Sequence, residues 1–356
     1  MRSGIKPSIS SIAGLKQTSL TSSESSSTVE EHEPDELHDA QLRKVNHILA
    51  KARLQDGQRL LEIGSGWGEL AIQACRSADV QVDTITLSSD QKELAEQRIA
   101  AAGLSSRIRV HLMDYRQMPE SWQGAFDRVI SIEMVEAVGI EFLPEYFKWI
   151  DWALKRRGGV GVIQGITMPE TRFEAYRSSL DFIRKWIFPG GICPTVSSLV
   201  TSLDVGSKHQ LVIESIDNIG PHYARTLREW ARRFEACFDS HIAPTLRKQY
   251  PTVMDGPNGA EELQVFRRKW MCTFSFAVAS LLHTLTLRHF DRLLLLLRDR
   301  LRLSHARRCY HDVHSRGGRV VRVQRLRVKC SELLRKCNAY SRLERNPFRM
   351  YSTRIC

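Results

Sequence analysis

Three glycines at alternate positions follow a short apolar run and one acidic residue, in the segment LLEIGSGWG at residues 60–68. Glycine lacks a Cβ atom, so the backbone at Gly64, Gly66 and Gly68 can turn tightly and approach a ligand closely. Residues 60–63 have the length and apolar character of a strand, and residues 70–74 have the pattern of a helix start. The order of strand, glycine turn and helix indicates a nucleotide-type loop, with Glu62 at its base.

The second predicted strand discriminates between two kinds of nucleotide site. A dinucleotide site prefers the spacing GxGxxG and a carboxylate at the end of the second strand, where it binds a ribose. Residues 80–87 form that strand here, and it ends in Thr86 and Leu87 without a carboxylate. The pattern therefore favours an S-adenosylmethionine site over a nicotinamide site. A glycine turn that only connects strand and helix is the remaining alternative.

Two carboxylates lie close together after the predicted fourth strand. Glu133 and Glu136 belong to the largely apolar segment SIEMVEAVG at residues 131–139. A buried carboxylate is unfavourable unless it is paired or hydrogen-bonded, so two of them at the mouth of a sheet suggest chemistry. We predict that Glu136 is a base or the anchor of a base, and that Glu133 faces the cofactor or solvent.

The elements that must position these residues alternate as in a parallel sheet with crossover helices. The fold class is therefore α/β, a Rossmann-like and mostly parallel sheet with helices on both faces. One predicted helix, 172–187, interrupts the alternation, and we predict that it forms a helical lid over the site. The predicted strands are 60–63, 80–87, 108–113, 126–132 and 161–166, and the other predicted helices are 36–54, 90–102, 144–154, 222–238 and one that ends near residue 271.

In an open parallel sheet the ligand lies beyond the carboxyl ends of the strands. We therefore expect Thr86, Leu87 and Gln91 to contact the sugar edge of the cofactor, and Asp114 and Tyr115 to bracket its adenine. An aspartate at a strand end is also a common cap or turn residue, so that alternative stays open for Asp114. The predicted cofactor-binding residues are Glu62, Gly64, Gly66, Gly68, Thr86, Leu87, Gln91, Asp114, Tyr115 and Ser131.

The composition excludes several classes of protein. A chain of 356 residues with 42% hydrophobic residues fits a soluble globular protein. It contains no uninterrupted apolar stretch of the roughly 18 to 20 residues that cross a bilayer.

The positive charge is concentrated at the end of the chain. Residues 271–356 hold 19 Lys and Arg against 5 Asp and Glu, a net charge of +14, whereas the whole chain carries +12, so residues 1–270 carry −2. The nearly neutral main part is not expected to bind nucleic acid. None of the eight cysteines forms a CxxC pair, so neither a metal site nor a disulfide framework is expected.

Composition also divides the chain into three parts. Residues 1–35 are rich in Ser and Thr and are predicted to be disordered. Their early charges are all basic, a weak resemblance to a mitochondrial transit peptide. Residues 36–271 form the predicted catalytic domain. Residues 272–356 are Arg-rich and atypical, and our hypothesis is a shifted reading frame or a wrongly assigned exon. The alternative is an Arg-rich surface that attracts anionic phospholipid.

With these residues in hand, the chain resembles the cyclopropane-fatty-acyl-phospholipid synthases and their mycolic-acid relatives, which are class I S-adenosylmethionine-dependent methyltransferases. The resemblance runs from about residue 33 to residue 271. The most discriminating segment is the last, because generic methyltransferases share the glycine loop but not the insert FIRKWIFPGG. The resemblance rests on LLEIGSGWGELA, TITLSSDQ, DYRQM, FDRVISIEMVEAVG and RFEAYRSSLDFIRKWIFPGG.

The resemblance implies transfer of the sulfonium methyl group to a cis double bond of a phospholipid acyl chain, followed by proton removal that closes a three-membered ring. Bicarbonate is the base implied in that chemistry. By the same resemblance Glu136 orients bicarbonate, the Ile166 backbone contacts it and the Tyr223 phenol hydrogen-bonds to it. Gln164 stands where bacterial members often carry His, so that contact is altered. The alternative for Tyr223 is a helix tyrosine packed against the sheet.

Two segments depart from the family pattern and bear on whether the protein is active. The expected Tyr-Asp pair and the Tyr-Ser-Cys-Ala motif before the first strand are absent, and the segment after Met271 lacks the expected aromatic-rich helix and closing strand.

The implied partner is an unsaturated phospholipid at the membrane surface, with a homodimer left open. The expected location is cytoplasmic and peripheral to a membrane. Competing functions are methylation of a sphingolipid base or a small amine, and an inactive S-adenosylmethionine-binding protein.

Overall fold

A regular alternation of helices and strands begins at Glu36 in the computed structural model, which describes residues 36–287 and 291–299, with side chains up to residue 275. The predictions for residues 1–35 and for 300–356 lie outside the described residues. The first half of the fold consists of α1 (Glu36–Ala52), β1 (Arg59–Ile63), α2 (Glu69–Ser77), β2 (Gln81–Thr86), α3 (Ser89–Ala101), β3 (Ile108–Leu112), β4 (Arg128–Ile132), α4 (Leu143–Ala153) and β5 (Val160–Thr167).

The second half carries more helix. It begins with α5 (Glu170–Ser178), which is followed by a π-helical turn at Ile183–Ile187. The remaining elements are α6 (Val196–Gly206), β6 (Leu211–Asn218), α7 (Tyr223–Cys237), α8 (Ala243–Gln249), α9 (Pro251–Met254), α10 (Gly259–Leu287) and β7 (Asp291–Asp299).

The strands described form one sheet in the order β3-β2-β1-β4-β5-β7-β6. Strands β1 to β5 pair in parallel, and β7 is antiparallel to both β5 and β6. The chain leaves β1 in one direction for β2 and β3, and in the other direction for β4 and β5. The loops after β1 and β4 therefore open a crevice at the carboxyl edge, where α/β sheets bind their ligands.

The two faces of the sheet bury different residues because strand side chains alternate. Leu60 packs with α1, α2 and α3 in one core cluster. Its neighbour Leu61 packs with α4 and α6 in a second cluster on the other face. A third cluster joins α7, α8, α9 and α10. The predicted α/β sheet with helices on both faces is confirmed.

The predicted helix 172–187 is not continuous in the structure. Helix α5 ends at Ser178, and the π turn begins only at Ile183. Ser179 donates its hydroxyl to the Ala175 carbonyl oxygen at 2.7 Å, and the Asp181 carboxylate accepts from the Arg184 backbone N–H at 2.9 Å. Short polar side chains that bond to nearby backbone compete with helix in this way.

The predicted boundary between residues 271 and 272 falls within α10, which runs without a break from Gly259 to Leu287. The leucine run 293–297 lies in β7, between β5 and β6. The structure therefore places the described residues after 271 within the same fold, and the expectation that this segment lacks a closing strand is wrong. The hypothesis of a shifted reading frame stays a prediction. Of the helices described, none has the length and unbroken apolar character that crossing a bilayer requires.

Candidate functional site

The glycine loop after β1 is tied to the end of the neighbouring strand. The backbone N–H groups of Gly64 and Ser65 both donate to the Ile85 carbonyl oxygen of β2, each at 3.0 Å. The Gly68 N–H donates to the Ser65 carbonyl oxygen at 2.9 Å and leads into α2. The loop is therefore a fixed turn at the carboxyl edge of the sheet.

All three glycines of the loop have left-handed backbone angles, with φ of +100° at Gly64, +48° at Gly66 and +82° at Gly68. A Cβ atom at Gly68 would lie 3.2 Å from the Cβ of Ala95 in α3, so glycine lets α3 pack closely there. A Cβ at Gly66 would have no atom of the described residues within 4 Å. The backbone at Gly66 therefore borders open space that a ligand can occupy, and this cradle fits S-adenosylmethionine.

Glu62 lies at the base of the loop and is 3% exposed. It is paired with Thr84 in the sheet register. Burial raises the pKa of Glu62 to about 8, although a hydrogen bond with the Thr84 side chain opposes the shift. Its Oε2 atom has no hydrogen-bond partner in the described part of the chain. A buried polar atom without a partner is uncommon, so Oε2 is a candidate contact for a polar or cationic ligand.

We expect Glu62 to make the stability of the ligand-free protein fall as the pH rises. Its pKa in the folded protein, about 8, exceeds the ordinary 4.5, so the folded protein retains a proton that the unfolded chain loses between these values. Relative to Glu62→Gln, the free energy of unfolding should fall by roughly 1.4 kcal/mol per pH unit across this range. Urea unfolding of both proteins near pH 5 and near pH 7.5 measures the difference, and parallel pH profiles would contradict it.

The predicted sugar-binding residues form one connected group at the start of α3. The Thr86 hydroxyl donates to Gln91 Oε1 at 2.8 Å and accepts from the Ser88 N–H at 3.2 Å. Ser88 also caps α3 by accepting from the Gln91 backbone N–H. Leu87, between them, is 68% exposed. The exposed leucine lies at the rim of the crevice, and contact of Thr86, Leu87 and Gln91 with the sugar edge of the cofactor stays a prediction.

Asp114 and Tyr115 follow β3 as predicted, but the aspartate already has partners. Its carboxylate accepts from the Arg116 backbone N–H at 2.8 Å and from the Arg116 guanidinium at 2.7 to 3.1 Å. The hydrogen bonds from Arg116 hold the pKa of Asp114 below its ordinary value, so it stays ionised. The Tyr115 ring meets the Tyr146 ring edge to face at 5.5 Å. The capping alternative describes Asp114 in this structure, and an adenine contact stays a prediction.

Ser131 is 1% exposed, and its hydroxyl donates to the Ile63 carbonyl oxygen at 2.9 Å. This bond ties β4 to β1 at the edge of the crevice. The hydroxyl proton is therefore committed to the protein backbone, and a cofactor contact by Ser131 stays a prediction. The loop after β4 does reach the glycine loop, because a Cβ at Gly64 would lie 3.7 Å from Met134 Cγ.

Glu136 is held at two points. Its Oε1 accepts from the Ile166 backbone N–H at 2.5 Å, and its carbonyl oxygen accepts from the Ile192 N–H at 2.8 Å. A Cβ at Gly165 would lie 2.6 Å from Val135 Cγ2 and 3.5 Å from Glu136 Oε1. Glycine at position 165 therefore lets the turn that carries Val135 and Glu136 pack closely against β5. The two predicted residues Glu136 and Ile166 lie together, bonded directly to each other.

Gln164 points to the other carboxylate of the pair. Its side-chain Nε2 donates to Glu133 Oε1 at 2.8 Å, and its backbone carbonyl oxygen accepts from the Glu133 N–H at 2.7 Å. Gln164 is fully buried, whereas Glu133 is exposed and has a φ of +53°, which is unusual for a residue other than glycine. Strained backbone of this kind clusters at functional sites. The amide of Gln164 thus fixes the turn that carries Glu133.

Tyr223 is the first residue of α7 and is half-buried. Its ring packs edge to face against Trp230 at 5.6 Å, beside the third core cluster. This contact lies within α7 itself, so the alternative of a helix tyrosine packed against the sheet stays open. A contact between its phenol and a base held by Glu136 stays a prediction.

Two further residues, Cys193 and Tyr176, belong to the candidate site, although neither was predicted from the sequence. The Cys193 N–H donates to the Tyr176 hydroxyl at 3.1 Å, next to the Ile192 bond to Glu136. Burial raises the pKa of Cys193 to about 12, with a further increase from the negative charge of Glu136. The thiol therefore stays protonated beside the carboxylate. The sequence feature that could have indicated Cys193 is its position two residues after the FPGG motif.

A model of the mycolic acid cyclopropane synthetase family matches residues 21–268. Tuberculostearic acid methyltransferase UfaA1 of Mycobacterium tuberculosis is 43% identical over 200 residues, which cover 56% of this chain and 45% of that protein. Methoxy mycolic acid synthase MmaA3 of the same organism is 30% identical over 257 residues, 68% of this chain and 83% of that protein. The chain spans about half the length of the first curated relatives it matches.

Solved structures show the same fold. The cyclopropane synthase MmaA2 from Mycobacterium tuberculosis superposes with a TM-score of 0.60 and 24% identity, covering 74% of this chain and 87% of that one. Mycolic acid cyclopropane synthase CmaA1, complexed with SAH and CTAB, superposes with a TM-score of 0.58 and 23% identity, covering 73% and 84%. At this identity the likeness concerns the fold.

Proposed function

Because the chain belongs to the mycolic acid cyclopropane synthetase family, we propose that it uses S-adenosylmethionine to add a methylene group across a cis double bond of a phospholipid acyl chain, with bicarbonate as the base. The family membership that the sequence motifs indicated is confirmed. Relatives in the family are named for methylation or cyclopropanation of lipids. The acceptor, the ring closure and the base are the parts that we propose for this chain.

The observation that carries the proposal is the position of Glu136 on the loop after β4, two residues beyond Met134, which approaches the glycine loop at Gly64. Bound S-adenosylmethionine would supply an electrophilic methyl group, and an alkene carbon would receive it. Glu62 and the backbone at Gly64 and Gly66 would hold that cofactor. An alkene is a weak nucleophile, and the cation that forms on the acyl chain must be protected from water. Glu136 would provide a fixed negative charge close to this cation.

Bicarbonate fits the neighbouring groups in part. Its hydroxyl can donate to the Glu136 carboxylate, which Ile166 holds in place. Its anionic oxygens need donors, and the protonated Cys193 thiol, whose pKa the negative charge of Glu136 raises, is a candidate donor. Gln164 is directed at Glu133 instead, so it does not take the role of the family's histidine in this arrangement. The proton of the methylated acyl chain would pass to an unprotonated oxygen of bicarbonate, giving carbonic acid, while the hydroxyl bonded to Glu136 would keep the base in orientation.

A second product is favoured by one observation. The 43% identity to a tuberculostearic acid methyltransferase supports methylation of the acyl chain without ring closure. The two products share the first step and differ in where the proton is lost. Methylation of a sphingolipid base or a small amine has no comparable support.

Lipid mass spectrometry tests the proposal. The full chain is expressed in a host that lacks such enzymes, and the acyl chains are compared with those of the host carrying an empty vector. We expect unsaturated chains to gain one CH₂ unit and to resist mild hydrogenation, since a ring has replaced the double bond. A CH₂ gain with hydrogenation-sensitive unsaturation would indicate methylation alone. Unchanged acyl chains would contradict both.

A further inference from the structure

The segment between α5 and α6 exposes apolar and cationic side chains together. Leu180 is 68% exposed and Phe188 is 40% exposed, at either end of the π turn. Lys185 and Trp186 lie within that turn, and Lys269 of α10 packs against it. We call these five residues the lid face. Exposed apolar side chains that group together beside polar ones mark sites of contact with proteins or membranes.

Trp186 binds two ammonium groups on the lid face. The Lys269 Nζ lies 4.4 Å from the centre of the indole ring, and the Lys185 Nζ lies 5.0 Å from it. Burial lowers the pKa of Lys269, and the negative charge of Glu262 acts in the opposite direction. A tryptophan with lysines over its ring combines an apolar body with a charged rim, which is typical of residues at membrane interfaces.

The segment between α5 and α6 carries a net positive charge. Asp181 and Arg184 form an ion pair with each other at 3.0 Å. Lys185 has no ion pair among the described residues, and its side chain is exposed. The lid face therefore presents cationic groups around an aromatic ring. A surface of anionic headgroups over a hydrocarbon layer is complementary to both features.

The lid face also connects directly to Glu136. The Phe188 carbonyl oxygen accepts from the Gly191 N–H at 3.0 Å, and the next residue, Ile192, donates to the Glu136 carbonyl oxygen at 2.8 Å. A Cβ at Gly191 would lie 3.5 Å from the Phe188 Cβ and 3.6 Å from the Glu136 carbonyl oxygen. Phe188 thus adjoins the segment that is hydrogen-bonded to the backbone of Glu136.

We propose that the lid face docks on an anionic phospholipid bilayer, with Leu180 and Phe188 entering the acyl region and Lys185 and Lys269 contacting lipid phosphates. This inference rests on the proposed function, because it delivers an acyl chain to Glu136 from the bilayer. Trp186 lies at the boundary between headgroups and chains. Docking in this position shortens the path of a double bond from the bilayer to the site.

Vesicle co-sedimentation of the full chain tests the inference without any chemistry. The vesicles contain saturated phosphatidylglycerol and phosphatidylcholine, or phosphatidylcholine alone, and no S-adenosylmethionine is added. The lid variant is Leu180→Ser with Lys185→Glu. The matched control is Leu112→Ser with Arg109→Glu, since Leu112 is 52% exposed, Arg109 is exposed, and both lie on β3 at the far edge of the sheet.

We expect the lid variant to bind anionic vesicles about tenfold more weakly than the wild type, and the control to bind within about twofold of it. Equal binding by the lid variant and the wild type would overturn the inference, as would an equal loss in both variants. Calorimetric binding of S-adenosylmethionine by both variants checks that they are folded.

A second assay separates this inference from the proposed function. With unsaturated lipid dispersed in detergent, the lid variant should transfer methyl groups as fast as the wild type, while its rate on anionic vesicles falls. A wild type that transfers no methyl group in either form would contradict the proposed function, but selective loss of vesicle binding by the lid variant would still support docking. If the lid variant were equally slow on lipid in detergent and on vesicles, the inference that the lid face acts by docking would be contradicted.

Discussion

Replacement of Glu136 by glutamine should lower the rate of methylene addition by roughly 100-fold or more while S-adenosylmethionine still binds. Glutamine keeps the shape of the side chain and an oxygen that can accept from the Ile166 N–H, the bond that holds the carboxylate at 2.5 Å. It removes the negative charge. If that charge orients the base and stabilises the acyl cation, the chemical step slows and the glycine loop is unaffected.

Single-turnover transfer to dispersed unsaturated lipid measures the rate, and calorimetry measures cofactor affinity, which should stay within about twofold of the wild type. Glu141→Gln is the matched control, because Glu141 is an exposed glutamate five positions further along the same connection between β4 and α4. Normal turnover in Glu136→Gln would remove the residue from the mechanism. An equal loss in both variants would indicate a general effect of charge near the site.

The fold was predictable where local pattern and packing agree. The apolar runs of β1 to β5 and the glycine turn gave the parallel sheet, because buried parallel strands are nearly continuous apolar segments. The leucine run 293–297 has the same character, yet its Arg-rich surroundings set it apart in the sequence analysis. Its pairing with β5 and β6 depends on contacts distant in sequence, which composition does not reveal.

The location of the candidate site was predictable from the sequence, whereas most of its side-chain contacts were not. Glu136 and Ile166 were both assigned to the base by the family resemblance, and in the structure they are bonded to each other, since adjacent parallel strands end at one edge. Asp114 is bonded to Arg116, two residues away, through turn chemistry that the capping alternative anticipated. Cys193 reaches the site only because the lid segment folds back to Glu136. Apart from its position two residues after the FPGG motif, the sequence does not indicate this contact.

Replacement of Gly66 by valine should weaken S-adenosylmethionine binding by at least about 100-fold, equivalent to about 2.7 kcal/mol. The Cβ would project into the space next to the loop, where no atom of the described residues lies within 4 Å. A φ of +48° also disfavours a branched side chain, so the variant should lose about 1 to 2 kcal/mol of folding stability as well. These two effects must be measured separately.

Gly57→Val separates them. Gly57 also has a left-handed backbone, with φ of +75°, and a Cβ there would likewise have no atom of the described residues within 4 Å. It precedes β1, at the opposite edge of the sheet from Gly64 and Gly66, and its N–H donates to the Asp79 carbonyl oxygen. Valine at either position should therefore lower the urea midpoint to a similar extent, because the backbone strain is alike. Only Gly66→Val should lose cofactor affinity by calorimetry. Equal affinities in the two variants would place the cofactor away from the glycine loop, and without that placement Glu136 would not adjoin the methyl donor.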